Sequence, residues 1–184
     1  MKYRLSQQPF PVELTAEEVQ QTLDFVERMR VDKVAHNVTD RMFDQKNTSE
    51  GINIIGHLGE MVAGKVLDVP VDMTVRTAGD DGDDMVLGTT SIQVKTSTMP
   101  KLVFNAAHLF VSDVAVLVQF IGENRQSAKD DPRFMVWGWI ERAEFMKKHY
   151  IQDFGYGKRL VLDAFHLHTL DTLLEEVENA AIHV

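Results

Sequence analysis

Three residues within a twelve-residue stretch have side chains that could act together on a phosphate group: Asp84, Gln93 and Lys95. Between them, Gly88-Thr89 is typical of a two-residue hairpin turn with glycine first, and strand-forming residues flank it. Counting outward from this turn places Asp84 opposite Gln93, and Lys95 shares their face because side chains alternate along a strand. A carboxylate, an amide and a lysine on one face can hold a metal ion beside a phosphate. The same groups are also compatible with an ordinary surface salt bridge.

A helix predicted over residues 48–67 adds a second carboxylate to this arrangement. Its apolar residues repeat at helical spacing and form one arc that we expect to pack on the sheet: Ile52, Ile55, Gly59, Val62, Ala63 and Val66. Glu60 lies at the edge of this arc among small residues, so its carboxylate would be poorly hydrated. Since a buried charge generally needs a partner or a metal ion, Glu60 is a third candidate ligand. His57 is predicted to lie on the exposed side of the helix.

The order of these residues resembles the PD-(D/E)XK nuclease superfamily. The matching segments are Gly56-His-Leu-Gly-Glu60, Asp81-Gly-Asp-Asp84-Met-Val and Ile92-Gln-Val-Lys95-Thr-Ser. Further along, residues 134–140 followed by 141–145 are similar to a strand and helix often found in small bacterial and phage members. The resemblance covers residues 51–98, with weaker agreement to about residue 146. Two departures are Gln93, where the family usually has Asp or Glu, and Asp83, where the pattern has Pro.

The resemblance implies a restriction-endonuclease-like α/β fold, with a central mixed β-sheet flanked by α-helices, and a magnesium-dependent deoxyribonuclease. Asp84 would hold Mg²⁺, for which Mn²⁺ is a plausible substitute, and Gln93, Glu60 and the Val94 carbonyl would complete its oxygen ligands. Lys95 would orient or deprotonate the attacking water, or stabilise charge on the scissile phosphate. DNA is the expected partner, and a homodimer is expected because many double-strand cutters of this kind are dimers.

Length and composition predict one domain, because 184 residues with 44% hydrophobic content are enough for a single well-packed core. We expect a nuclease-like domain over residues 1–184, with an N-terminal helical region (1–47), a motif-bearing core (48–146) and a C-terminal strand and helix (147–184). The lack of cysteine excludes thiolate metal ligands and a cysteine nucleophile, and it favours a cytoplasmic setting. Without an apolar signal segment or a membrane-spanning stretch, no membrane association is expected.

The net charge of −9 opposes DNA binding through bulk electrostatics, although a metal ion would partly neutralise the acidic cluster around Asp84. This charge and the neutral Gln93 favour an alternative: a nuclease-like fold with weak or no chemistry that acts as a DNA-binding or protein-interaction module. An acidic decoy that mimics DNA is a further alternative, but its charges should form a broad stripe, whereas residues 80–84 concentrate them. The candidate phosphate contacts are more typical of solvated loop charges: Lys101, Arg125, Lys129 and Arg133.

Other patterns predict the elements around this core. Residues 1–14 form an extended lead-in, and Thr15-Ala-Glu-Glu18 is a capping box that begins a helix with the apolar stripe Val19, Leu23, Val26 and Met29. A second helix is predicted over residues 32–44. Further predictions are a strand at 111–121, a polar loop at 122–133, a strand at 158–162 and a helix at 170–181.

His166 and His168, with Asp171 nearby, allow a second metal-site interpretation, because alternating histidines on a strand share a face. The same stretch is also typical of a strand-to-helix junction in which Thr169 or Asp171 caps the helix, and we favour that interpretation. Trp137 and Trp139 are predicted to serve packing rather than base stacking.

Overall fold

The computed structural model describes residues 3–36, 49–75, 82–123 and 125–182. Within these ranges the chain forms four α-helices and eight β-strands, which confirms the mixed α/β class. The helices are α1 (Ala16–Ala35), α2 (Ser49–Leu67), α3 (Arg142–Lys148) and α4 (Leu170–Ile182). The strands are β1 (Phe10–Glu13), β2 (Met85–Leu87), β3 (Thr90–Ser97), β4 (Lys101–Phe104), β5 (Val114–Phe120), β6 (Arg133–Glu141), β7 (Tyr150–Asp153) and β8 (Lys158–Asp163).

Five strands form the central mixed sheet in the order β1-β6-β5-β3-β2. Strands β3 and β5 are parallel, and the other neighbours are antiparallel. Strand β5 has an almost continuous apolar sequence because it is buried on both faces. Val116 belongs to a core cluster that includes residues of α2, and its neighbour Leu117 belongs to a second cluster on the opposite face.

The two faces of this sheet have different cover. Helices α1, α2 and α4 contribute residues to the core on one face. On the other face, a three-stranded antiparallel sheet, β4-β8-β7, packs together with α3. The sequence predicted a sheet flanked by α-helices. The structure has such helices, but a second sheet also covers one face. Strands β4 and β7, with four residues each, are too short for their alternation to stand out in the sequence.

Helix α1 begins at the predicted capping box. The Thr15 hydroxyl accepts a hydrogen bond from the Glu18 N–H, and the Glu18 carboxylate accepts one from the Thr15 N–H. The predicted second helix from residue 32 is wrong at its start, because Asp32 lies in α1, which continues without a break to Ala35. Residues 37–44 of that prediction lie outside the described residues. Thr22 and Phe25 of α1 are also buried, so the buried face of this helix is wider than the predicted apolar stripe.

The remaining predicted elements are confirmed within three residues at their ends: β5, β6, β8, α2, α3 and α4. Part of the predicted lead-in is strand β1, which pairs with β6 at the edge of the sheet, where Pro11 is tolerated. The predicted loop at 122–133 contains a short 3-10 helix, Arg125–Lys129. None of the helices in the described ranges combines the length and apolar character needed to cross a membrane.

Candidate metal and phosphate site

The β2–β3 hairpin has the register counted from its turn. Met85 pairs with Ile92 and Leu87 pairs with Thr90, and the φ angle of Gly88 is 62°, a value that favours glycine. Asp84 lies one residue before β2. Its N–H donates to the Ile92 carbonyl at 2.9 Å, and its Oδ2 accepts from the Val94 N–H at 2.6 Å. The Asp84 carboxylate therefore lies against the backbone of β3, just beyond the last paired residue.

A cavity of about 430 Å³ opens where the described β2–β3 ladder ends. All the predicted site residues line it: Glu60, Asp84, Gln93, Val94 and Lys95. Helix α2 forms one wall, and the start of the hairpin with the second half of β3 forms the other. The sequence placed these groups near one another from two separate patterns, a helical arc and a hairpin register, and the fold brings them around one cavity.

The two walls reach the cavity from opposite faces of β3. Ile92 and Val94 pack into the core with α2, so Gln93 and Lys95 point to the other face. On that face, Lys95 Nζ lies 5.2 Å from the centroid of the Phe104 ring. The cavity therefore extends around the edge of β3 beyond its described pairing with β2, with Glu60 on the helical side and Lys95 on the side of the second sheet.

Gln93 carries the feature of this cavity that most directly indicates a ligand. The residue is only 7% exposed, and its Oε1 has no hydrogen-bond partner among the described residues. A buried acceptor left unsatisfied costs about 1–3 kcal/mol, so a rotation of the side chain that brings this oxygen to a cation or a water molecule in the cavity would relieve the penalty. The amide oxygen thus fits a role as ligand to a hard cation.

The acidic groups alone do not form a closed metal site. Within the described ranges, no three His, Cys, Asp or Glu side chains are grouped closely enough to hold an ion. The ligand set predicted from the sequence contains only two carboxylates, Glu60 and Asp84, and it depends on an amide and a main-chain carbonyl for the rest. Such a set fits Mg²⁺, which usually binds through one or two carboxylates and keeps several waters.

His57 belongs to the site, and its prediction as a surface residue is wrong. Its Nδ1 lies 2.7 Å from Glu60 Oε2, and the two side chains are 19% and 17% exposed. Because an ionised carboxylate only accepts hydrogen bonds, the imidazole is the donor. The ring also meets Phe25 of α1 edge-on, with 5.1 Å between centroids. The spacing i, i+3 on a helix was the sequence signal that could have identified this pair.

Contacts to the start of β5 fix the hairpin beneath the cavity. The Ser112 hydroxyl donates to Asp83 Oδ1 at 2.5 Å, and Asp113 Oδ2 accepts from both the N–H and the hydroxyl of Ser91 at 2.9 Å. These two hydrogen bonds from Ser91 lower the pKa of Asp113 below its ordinary value of 3.8. Asp83 therefore anchors the loop, whereas its neighbour Asp84 lines the cavity.

The second metal-site interpretation is not supported. His166 ends a 3-10 helix rather than alternating with His168 on a strand, and His168 Nε2 lies 2.6 Å from Glu144 Oε2. The packing role predicted for the tryptophans is confirmed for Trp139, which is 2% exposed and donates from Nε1 to Thr172 Oγ1.

None of the candidate phosphate contacts is among the described residues that line the cavity. Lys101 begins β4 and lies 3.3 Å from Asp163, and Arg133 begins β6 and lies 2.6 Å from Asp131. Lys129 is exposed at the end of the 3-10 helix, and the Arg125 side chain lies outside the described part of the structure.

Comparisons of the chain with protein-family models, curated proteins and solved structures find no match. The functional assignment therefore depends on the residues and geometry of the cavity.

Proposed function

We propose that this protein is a divalent-metal-dependent nuclease that hydrolyses phosphodiester bonds in DNA, on a restriction-endonuclease-like variant of the observed α/β fold. The observation that supports this most is that Gln93, whose buried amide oxygen has no hydrogen-bond partner among the described residues, lines one cavity together with Asp84, Glu60 and Lys95. Each of these residue types has a task in phosphodiester hydrolysis. Together they combine oxygen ligands for a cation with a positive charge for the phosphate.

Asp84 and Gln93 would hold Mg²⁺ or Mn²⁺ on the hairpin side, with the Val94 carbonyl, and Glu60 would hold it from the helix. When bound, the cation supplies neutralisation of phosphate charge and a more acidic water. Asp84 keeps its Oδ2 against the Val94 N–H, so its carboxylate is oriented by the strand that carries Gln93. His57 holds the Glu60 carboxylate through its hydrogen bond and thereby orients it before any ligand arrives.

Lys95 is assigned to the phosphate. The face of an aromatic ring attracts a charged ammonium, and the Phe104 ring lies 5.2 Å from Lys95 Nζ. This contact places the ammonium group on the face of β3 that also carries Gln93. In this role Lys95 would stabilise negative charge on the scissile phosphate, which is one of the roles considered from the sequence.

A second candidate is a nuclease-like protein with little or no chemistry that binds DNA or another protein. It is favoured by the neutral Gln93 in a position where a carboxylate would strengthen metal binding, and by the absence of a three-residue acidic or histidine group among the described residues. Lys95 argues for the nuclease, because binding alone would not require a lysine beside the carboxylates.

The test is cleavage of supercoiled plasmid, linear duplex and a branched substrate with Mg²⁺ or Mn²⁺. Wild type is compared with Asp84→Ala, Lys95→Ala and the control Lys129→Ala, all purified in parallel. We expect metal-dependent cleavage by wild type and the control, and a loss of at least about 100-fold in the two cavity variants. No cleavage by folded wild type with either metal, or equal cleavage by all four proteins, would overturn the assignment.

A further inference from the structure

Two glycine residues of α2 that lie one turn apart, Gly56 and Gly59, have different surroundings. At Gly59 an added Cβ would collide with the Thr96 side chain, so the packing of α2 on β3 requires glycine there. At Gly56 an added Cβ would meet no atom of the described residues within 4 Å. Glycine inside a helix is less favourable than alanine. Packing against the described part of the chain does not explain why residue 56 is glycine.

Gly56 belongs to the wall of the candidate cavity. Asn53 and Glu60 of the same helix also line the cavity, and helical geometry places the three residues within about 60° of one another around the helix axis. We call Asn53, Gly56 and Glu60 the α2 strip. Because Gly56 has no side chain, the helix backbone is open to the cavity in the middle of this strip. Glycine is typical of positions where a backbone approaches a ligand closely.

Asn53 is the end of the α2 strip that lies farther from the proposed cation. Its side chain is partly buried and has no hydrogen-bond partner among the residues that the structure describes. The amide offers two N–H donors and one acceptor. Seven residues of helix separate Asn53 from Glu60, which is about 10.5 Å along the axis. Asn53 is therefore placed to contact a part of the substrate that lies beside the scissile phosphate.

The size and charge of this wall fit a phosphodiester backbone. A cation with six waters of about 30 Å³ each occupies about 180 Å³, and the cavity measures about 430 Å³. Residues 51–59 contain no acidic side chain, although the whole chain carries −9. Ile52 adds an apolar surface to the same wall. A phosphate beside Asn53 would therefore meet a neutral donor, and the carboxylate of Glu60 would lie at the end of the α2 strip where the cation offsets its charge.

We propose that one strand of the DNA substrate runs along the α2 strip, with its sugar-phosphate backbone against the helix at Gly56. In this arrangement an N–H of the Asn53 amide donates to the phosphate next to the scissile one. The inference rests on the proposed nuclease function and adds a substrate-binding residue to it. Donors such as asparagine fix the position of nucleic acid through its phosphates without reading the sequence. The α2 strip would thus determine which phosphate reaches the cation.

Gly56→Leu tests the proposal by filling the path of the strand. Leucine favours helices and its side chain would enter open space, so the fold and Mn²⁺ binding should be retained. Binding is measured in Mn²⁺ by fluorescence anisotropy with labelled DNA of about 16 nucleotides, single-stranded and duplex. All variants carry Lys95→Ala, which slows cleavage. We expect Gly56→Leu to weaken binding of the preferred DNA form about tenfold or more, and Gly56→Ala to have a smaller effect.

Asn53→Lys tests whether a phosphate lies beside residue 53. The new ammonium would neutralise that phosphate, so the slope of log K against log salt should steepen by about 0.7 for a single strand or about 0.9 for a duplex. Asn179→Lys is the matched control, because Asn179 is an exposed asparagine of α4 and is not among the described residues that line the cavity. It adds the same charge and should leave the slope unchanged.

Equal DNA binding by Gly56→Leu and its background, or equal slopes in the two lysine variants, would overturn the proposal. If Gly56→Leu does not fold, the two lysine variants decide. The two proposals can fail separately. Cleavage by a wild type whose Gly56→Leu and Asn53→Lys variants leave DNA binding unaltered would contradict only the placement of the strand. Binding that responds to both substitutions, in a protein whose wild type never cleaves, would support the placement and contradict the nuclease.

Discussion

Gly59 of α2 lies so close to Thr96 of β3 that a Cβ atom on residue 59 would fall 1.8 Å from Thr96 Oγ1. The same Cβ would lie 3.0 Å from Thr96 Cβ and 3.1 Å from its Cγ2, so a different Thr96 rotamer would still leave a close contact. The backbone of the helix packs directly on the Thr96 side chain here because residue 59 has no side chain. Glu60, the next residue, is thereby held at the edge of β3 that carries Lys95.

We predict that Gly59→Ala destabilises the fold by about 1–3 kcal/mol, because α2 must move away from β3. The control is Gly56→Ala in the same helix, where an added Cβ meets nothing within 4 Å. That substitution should raise stability by up to about 1 kcal/mol, the difference in helix propensity. Urea unfolding of both variants is the measurement, and equal midpoints would contradict the close contact.

His57 should act on metal binding through Glu60. Removing its hydrogen bond in His57→Ala is expected to weaken Mn²⁺ binding about 10- to 100-fold, as is usual for residues that orient metal ligands. His57→Asn retains an N–H donor and should recover part of the loss. His36→Ala is the matched control, because His36 also contacts a carboxylate, Asp32 at 3.4 Å, but its side chain is 54% exposed. If both alanine variants bind Mn²⁺ equally well, His57 does not position Glu60.

Gln93→Glu should have opposite effects with and without metal. A carboxylate at this position, in a residue only 7% exposed, is costly when no cation is present, so the free energy of unfolding should fall in EDTA. With Mn²⁺ the added negative charge should tighten binding and raise the melting temperature more than in wild type. Differential scanning calorimetry in EDTA and in Mn²⁺ measures both effects. A variant whose melting temperature responds to Mn²⁺ no more than that of wild type would show that residue 93 is not a ligand.

An ion pair between the first two helices predicts an acid-dependent loss of stability. Glu18 Oε2 lies 2.7 Å from Lys65 Nζ, and the side chains are 24% and 25% exposed. Partial burial opposes ionisation of Glu18, but the hydrogen bonds from Lys65 and Thr15 outweigh it and lower its pKa below the ordinary 4.5. Because the folded pKa is depressed, the stabilisation is present above pH 4.5 and is lost as the pH falls through the folded value.

Glu18→Gln should therefore cost about 0.5–1 kcal/mol at neutral pH and nothing at a pH well below the folded pKa. Glutamine keeps an acceptor for the Thr15 N–H, so the helix cap is preserved. Glu17→Gln on the same turn is the control. Urea unfolding across this pH range is the measurement, and a constant difference from wild type at every pH would rule out the linkage.

The sequence predicted the elements whose patterns are local and missed those that depend on tertiary pairing. The α1 capping box and the Gly88-Thr89 turn each involve residues a few positions apart, so the helix start and the hairpin register followed from them. Strand β1 was missed as a strand because its pairing with β6 joins residues more than a hundred positions apart. Two proline residues near it, Pro9 and Pro11, also argued for an irregular lead-in.

The candidate site shows the same difference between local patterns and tertiary contacts. Asp84, Gln93 and Lys95 were found because hairpin register and strand alternation relate them directly. His57 was missed because it lies outside the apolar arc of the helix, so the sequence placed it in solvent. In the structure, Phe25 of α1 contacts the imidazole.

A divalent cation held between α2 and the β2–β3 hairpin is the centre of the proposed chemistry, and titration calorimetry with Mn²⁺ tests it directly. Asp84→Asn keeps an oxygen for the Val94 N–H but removes the charge from the cavity. Asp83→Asn removes the charge from the adjacent residue, whose Oδ1 accepts from Ser112 instead. We predict saturable Mn²⁺ binding in wild type and Asp83→Asn, and its loss in Asp84→Asn. Equal binding by both variants, or no binding by wild type, would contradict a metal site in this cavity.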